Sequence, residues 1–155
     1  MIDDATFKLA MSHFASGVTV VTTEQDGRAY GMTVSAFSSL SLDPPLVLVC
    51  IEKSVTTHDI LAASGVFGVS ILAAEQREVS NRFASRSDSK FDGLNVNRRS
   101  LGVPLIPGAI CTLECRVQAQ LPGGDHSIFV GEVVSAETSE ATPLLYFRSG
   151  YRDLA

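Results

Sequence analysis

Three short segments of this chain place side chains where they could do chemistry. The first is GMTVSAFSS, residues 31–39, whose small and hydroxyl-bearing residues would let a flat ligand come up against a strand and bond its amides and hydroxyls. A barrel strand that turns small side chains inward would carry the same sequence. The second is KSVTTH, residues 53–58. Lys53, Ser54, Thr56 and Thr57 stand at the start of a short helical stretch, and free amides, hydroxyl donors and a cation together suit a phosphate. An ordinary hydroxyl cap would use the same residue types. The third is PGGDH, residues 122–126, where two glycines and an aspartate make a tight turn and His126 stands on the first residue of a returning strand. That histidine either grips a ligand or is simply exposed on a hairpin.

What is missing narrows the chemistry. The chain has no HExxH, no GxSxG, no Walker loop and no GxGxxG. Serines and acids are plentiful enough for a Ser-His-Asp hydrolase, but nothing supplies a nucleophile elbow. The three histidines are scattered, with no carboxylate at metal-ligand spacing, so no metal site is expected. His13 reads as a partly exposed helix histidine. The cysteines are Cys50, Cys111 and Cys115, an odd count. On one strand face, Cys111 and Cys115 would lie about 13 Å apart, beyond a disulfide or a shared zinc. Core packing in a reducing compartment is the expected role of that CxxxC spacing.

The elements that must position these segments follow from periodicity. In DDATFKLAMSHFASG, Phe7, Ala10, Met11 and Phe14 recur at helical spacing, with Asp4 placed to cap the front and Gly17 to end the back. VTVVTTE and AYGMTVSAFSSL flank Asp26-Gly27, a hairpin signal because both residues tolerate positive φ. LDPP then forbids pairing, and LVLVCIE reads as a fully buried strand. KSVTTHDILAASG leads into a helix stopped by Gly65, VFGVSIL is another buried strand, and AAEQREVSNRFAS is a second amphipathic helix carrying Val79 and Phe83. Residues 86–108 are polar and punctuated by Gly and Pro, as a long functional surface connection would be. AICTLECRVQAQL alternates, with Cys111, Leu113, Cys115, Val117, Ala119 and Leu121 on one face and Thr112, Glu114, Arg116, Gln118 and Gln120 on the other. A return strand and a terminal PLLYFRSGYRDL complete six or seven strands, mostly hairpin-linked, which favours an antiparallel barrel with appended helices over a parallel α/β sheet.

Composition sets the outer bounds. The chain has 155 residues, enough for one core, and 45% hydrophobic against 19% charged residues is far from disorder. Eight Phe and no Trp make that core aliphatic with Phe as its large filler. A net charge of −5 argues against a nucleic-acid surface. No stretch reaches the about 18 apolar residues of a membrane span, and MIDDATFK does not read as a signal peptide, so a soluble cytoplasmic protein is expected.

Taken jointly and in order, FASGVTVVTT (14–23), GMTVSAFSSLSLDPPLVLVCI (31–51), VFGVSIL (66–72), NRFASRSDSKFDGL (81–94), GGDHSIFVGEV (123–133) and LLYFRSGYRDL (144–154) resemble the flavin reductase family with the FMN-binding split β-barrel. Those proteins are the small reductase components of two-component flavin-dependent monooxygenases. The resemblance implies a mainly β (α+β) fold, an antiparallel split β-barrel with Greek-key character and appended short helices, as a single domain over residues 1–155. It implies hydride transfer from NADH to FMN or FAD, with NADPH the less favoured reductant because no arginine obviously awaits a 2′-phosphate. Reduced flavin would pass to a separate monooxygenase, and the protein would be a homodimer.

Site residues follow from the same resemblance. Thr33, Val34, Ser35 and Ala36 would line the isoalloxazine and ribityl chain; Lys53, Ser54, Thr56 and Thr57 would take the flavin phosphate; Lys90 and Phe91 would close over the flavin. Gly124, Asp125, His126 and Tyr151 would contact the nicotinamide dinucleotide. Hydride passes directly between the two rings, so no catalytic acid or base is demanded. A flavin-binding module without turnover and an oxidase of the pyridoxamine-phosphate type are the competing readings. The Gly-Asp-His triplet favours the reductase, since only a reductase needs a dinucleotide grip beside the flavin.

Overall fold

Asp3 starts the first helix: its extended backbone lets the carboxylate accept from the Thr6 amide at 2.7 Å, and α1 runs over Asp4–Met11. The cap thus falls one residue before the expected Asp4, and the helix ends at Ser12 rather than Gly17. Its apolar stripe finds no core: Phe7 is 53%, Met11 54% and Phe14 81% exposed. After α1 come the short strand β1 (Ser16–Gly17), then β2 (Thr19–Gln25) and β3 (Arg28–Val34), joined by the expected hairpin with φ of 52° at Asp26 and 77° at Gly27. In chain order follow β4 (Phe37–Ser41), β5 (Leu46–Glu52), α2 (Thr56–Ser64), β6 (Val66–Ile71), α3 (Arg77–Ala84), β7 (Cys111–Gly123), β8 (His126–Thr138), β9 (Leu145–Phe147) and β10 (Gly150–Arg152). This computed structural model describes residues 1–155.

Seven strands form one antiparallel sheet in the order β3-β2-β6-β7-β8-β5-β4, and β1-β9-β10 form a small second sheet. The stretch expected as one strand over AYGMTVSAFSSL is broken. Ser35 and Ala36 carry the chain from one edge of the large sheet to the other, so consecutive strands β3 and β4 are its two edges. The sheet curls but these edges do not pair, which is what splits the barrel.

The barrel interior is filled by Val21, Val49, Ile51, Phe67, Val69 and Phe129, with Leu61 of α2 plugging it. A second cluster of Val18, Val20, Leu72, Phe83, Ile106 and Leu144 holds α3 and the long connection against the sheet. LVLVCIE is buried on one face only: Val47, Val49 and Ile51 are inside, while Leu46, Leu48 and Cys50 are half-buried. The alternation expected along β7 also fails at its first half, where Thr112 and Glu114 are buried. The reason is the segment around Arg99–Leu101, which lies over that face. Arg99 donates to the Thr112 hydroxyl at 2.9 Å and the Leu101 amide to the Glu114 carboxylate at 3.1 Å. Register shifts at Glu114/Cys115 and Val117/Ala119 break the period further, and Leu121 is exposed. No helix is long and apolar enough to cross a membrane.

Candidate functional site

A cleft of about 970 Å³ opens between β3, the start of α2, the end of α3 and the connection that follows it. Each wall is built from a local feature of the sequence. Gly31 on β3 is small because two rings lie against it; a Cβ there would stand 3.0 Å from Phe83 Cε1 and 3.1 Å from Phe91 Cζ. Those rings meet edge to face, 4.9 Å apart at 85°. Two residues on, the Thr33 hydroxyl donates to the Ser80 carbonyl at 2.6 Å and ties β3 to α3.

Lys90 reaches back into this corner, its Nζ donating to the carbonyls of Gly31 and Phe83, each at 3.1 Å. Burial pushes its pKa below the usual 10.5, with Asp88 pulling partly the other way. Across the cleft, α2 begins without a side-chain cap. Val55 takes the capping position with an extended backbone, and the amides of Thr56 and Thr57 donate to no group of the protein. The ordinary hydroxyl cap is thereby excluded. Ser54 lines the same wall, but its hydroxyl donates to Glu52 Oε1 at 2.6 Å.

The cleft gathers Thr33, Ser54, Thr56, Thr57, Lys90 and Phe91 of the expected flavin residues. Four others stand elsewhere. Val34 points into the barrel core, and Ser35 lines a smaller neighbouring cavity of about 200 Å³. Ala36 is exposed and lends its carbonyl to the Cys50 amide at 3.0 Å. Lys53 turns away, because its Nζ donates to the Gly124 carbonyl at 2.8 Å and its amide to the Asp125 carbonyl at 2.9 Å.

The turn that Lys53 holds lines neither cavity. Gly124 has the positive φ that the turn needs, 68°. The Nδ1 of His126 donates to Asp125 Oδ1 at 2.7 Å, and the His126 side chain is 43% exposed. That bond, then the neighbouring histidine charge, holds the Asp125 carboxyl below the usual carboxylate range. Tyr151 lies apart from the turn, in the smaller cavity with Thr33 and Ser35. Its hydroxyl is 2.7 Å from Ser80 Oγ and donates to Asn81 Oδ1 at 2.7 Å.

The motif reading missed several residues of the cleft: Arg28, Tyr30, Glu52 and Arg86. Arg28 lies 5.2 Å over the Tyr30 ring. Its signal was the Asp26-Gly27 turn, which fixes Arg28 as the first residue of the strand that carries Gly31 and Thr33. Arg28 and Arg86 thus place two cations at the cleft. The cysteines are free, and burial, then the Glu114 charge, pushes the Cys115 thiol up to about 12.

The antiparallel split barrel is the fold of solved flavin reductases, and the comparisons give the family. This chain belongs to the flavin reductase like domain family, which it matches over residues 11–155. It is 41% identical over 150 residues to the reductase component of a 4-nitrophenol 4-monooxygenase/4-nitrocatechol 2-monooxygenase from Rhodococcus opacus, covering 97% of this chain and 80% of that one. It is 42% identical over 149 residues to the 4-hydroxyphenylacetate 3-monooxygenase reductase component of Thermus thermophilus, covering 96% and 95%. The solved NADH:FAD oxidoreductase SgcE6 of Streptomyces globisporus, in complex with NAD and FAD fragments, superposes with a TM-score of 0.94 at 37% identity, covering 100% of this chain and 96% of that one.

Proposed function

We propose that this chain is an NADH-dependent flavin oxidoreductase that carries hydride from NADH to FMN or FAD and supplies the reduced flavin to a separate monooxygenase. The observation that carries this reading is the uncapped start of α2, opening into the cleft that also holds Thr33 and the Phe83–Phe91 corner. Free amides at a helix start suit a phosphate, and an aromatic corner suits a flat ring. The residues present therefore fit a flavin mononucleotide or its adenylated form. Relatives named as NADH-dependent reductases favour NADH over NADPH.

A bound flavin supplies a two-electron acceptor that takes hydride directly from a reduced nicotinamide. The chain's own work is binding and orientation. Thr56 and Thr57 offer amides and hydroxyls to the phosphate, with Ser54 beside them. Lys90 holds a positive charge against the backbone of β3, and Phe91 shields the ring from water. His126, exposed on its turn, contacts the dinucleotide. We read the working form as a homodimer, because α1 presents Phe7, Met11 and Phe14 to solvent and Leu40 and Leu42 add apolar surface. Three free thiols accord with a cytoplasmic setting.

Anaerobic mixing of FMN or FAD with NADH or NADPH tests the activity. The flavin colour is expected to bleach fastest with NADH. No bleaching in any combination rejects the reading.

A pH dependence follows from Lys90. Its depressed pKa means the charge is present only at lower pH and is lost, as pH rises, before an ordinary lysine at 10.5 would lose it. FMN affinity is therefore expected to fall with rising pH from below 10.5, and the Lys90→Met variant to lose that limb. Identical pH profiles for the two proteins, by fluorescence titration, would remove Lys90 from the flavin contacts.

A further inference from the structure

His58 is buried in α2 and belongs to neither cavity, yet each of its ring nitrogens is engaged. Nδ1 donates to Asp59 Oδ1 at 2.8 Å, and Nε2 is hydrogen-bonded to the Ser127 hydroxyl, also at 2.8 Å. The ring stands edge-on to Phe129, 5.3 Å between centroids. Aspartate, histidine and serine are linked in the order of a hydrolytic triad, but Ser127 is only 3% exposed, so no substrate reaches it.

What the ring does reach is a junction. On one side it hangs from the third residue of α2, directly after Thr56 and Thr57, whose amides open into the cleft. On the other it holds Ser127, the residue after His126. Strand alternation points Ser127 inward and His126 outward, opposite Glu52 across the ladder. The inward bond therefore fixes the start of β8, from which His126 projects. Lys53 straps the other side of the same turn through Gly124 and Asp125.

We propose that His58 is a positioning residue that sets the phosphate-binding end of α2 and the His126 turn in one fixed relation, so that flavin and reductant are presented to each other in register. This rests on the reductase reading for its functional consequence. The role needs the Nε2 bond in particular. A purely structural histidine would need only the ring's packing.

Two near-isosteres separate these cases. His58→Asn retains a donor for Asp59 but is too short for Ser127. His58→Gln carries an amide at the reach of Nε2 and can accept the Ser127 hydroxyl. His58→Asn and Ser127→Ala are expected to raise the KM for NADH about fivefold, the worth of one hydrogen bond, with kcat and FMN affinity changed far less. In both variants the His126 ring resonances should shift. They are readily assigned, since the chain has only three histidines. His58→Gln should bring both KM and resonances back towards wild type even where its melting temperature stays as low as that of His58→Asn. Equal behaviour of the Asn and Gln variants in KM and resonances, or effects that follow melting temperature alone, would overturn the proposal. Should the wild-type protein oxidise no NADH, the reductase reading fails by itself. The resonances then decide the positioning role, and an unmoved His126 signal in His58→Asn ends it.

Discussion

Replacing Gly31 by valine is expected to weaken FMN binding by about 10- to 100-fold, the equivalent of the about 1–3 kcal/mol that overpacking a filled site costs. Gly31 has no positive φ, so the penalty is packing and not backbone strain. A Cβ alone would already meet Phe83 Cε1 at 3.0 Å, Phe83 Cδ1 at 3.1 Å and Phe91 Cζ at 3.1 Å. Phe83 cannot yield, being fully buried in the cluster that anchors α3. Phe91 must move instead, and with it Lys90, whose Nζ is bonded to the Gly31 carbonyl itself. One substitution thus displaces the aromatic corner and the cation together. Calorimetric titration with FMN beside a thermal melt checks it. Unchanged affinity in a protein that melts as wild type would show that neither Phe91 nor Lys90 touches the flavin.

Features set by two or three neighbouring residues were legible in the sequence, and features set by distant chain crossing were not. The Asp26-Gly27 hairpin and the Gly65 stop of α2 are local, since positive φ is a property of the residue itself. The uncapped start of α2 at one end of the cleft was legible for the same reason, as KSVTTH marks a helix start. Lys53 stands outside the cleft because the carbonyl that captures it, on Gly124, belongs to a turn 71 residues away. Arg86 carries no motif at all, and the Asp26-Gly27 turn places Arg28 on its strand without placing it at a cleft. Only the curl of the sheet and the path of the long connection bring them to one mouth. The break at Ser35–Ala36 was invisible because the β propensity of AYGMTVSAFSSL continues across it. What ends the strand is that barrel closure demands a change of edge there. The exposed stripe of α1 shows the limit from the other side: an amphipathic period predicts a face to be covered, without naming what covers it.

Glu114→Ala is expected to cost about 1–3 kcal/mol of stability and to open the long connection, although the residue is remote from every ligand-facing group. Its carboxylate is 0% exposed and accepts from Leu101 N at 3.1 Å, Ser135 Oγ at 3.1 Å and Ser100 Oγ at 3.3 Å. Removal strips half-buried Leu101 and Ser135 and the more exposed Ser100 of the acceptor they share. The segment they hold also presents Arg99 to Thr112 and Ser135, so its loosening breaks a second set of bonds. Two readouts distinguish this local opening from general weakening. Trypsin should cut at Arg98 and Arg99 in the variant well before the barrel melts. Cys115, which packs in the barrel interior and not under the connection, should stay closed to thiol reagents at that temperature. Its pKa of about 12 owes more to burial than to the Glu114 charge, so deleting the charge in a closed protein would leave it nearly inert. A variant that melts lower but keeps Arg98–Arg99 protected would mean that the connection is held from elsewhere, by the Asn97–Leu105 bridge and the buried Ile106. The same connection begins at Arg86 and carries Lys90 and Phe91 into the cleft. Glu114 therefore secures from behind the barrel a stretch of chain whose front end forms the aromatic corner of the cleft.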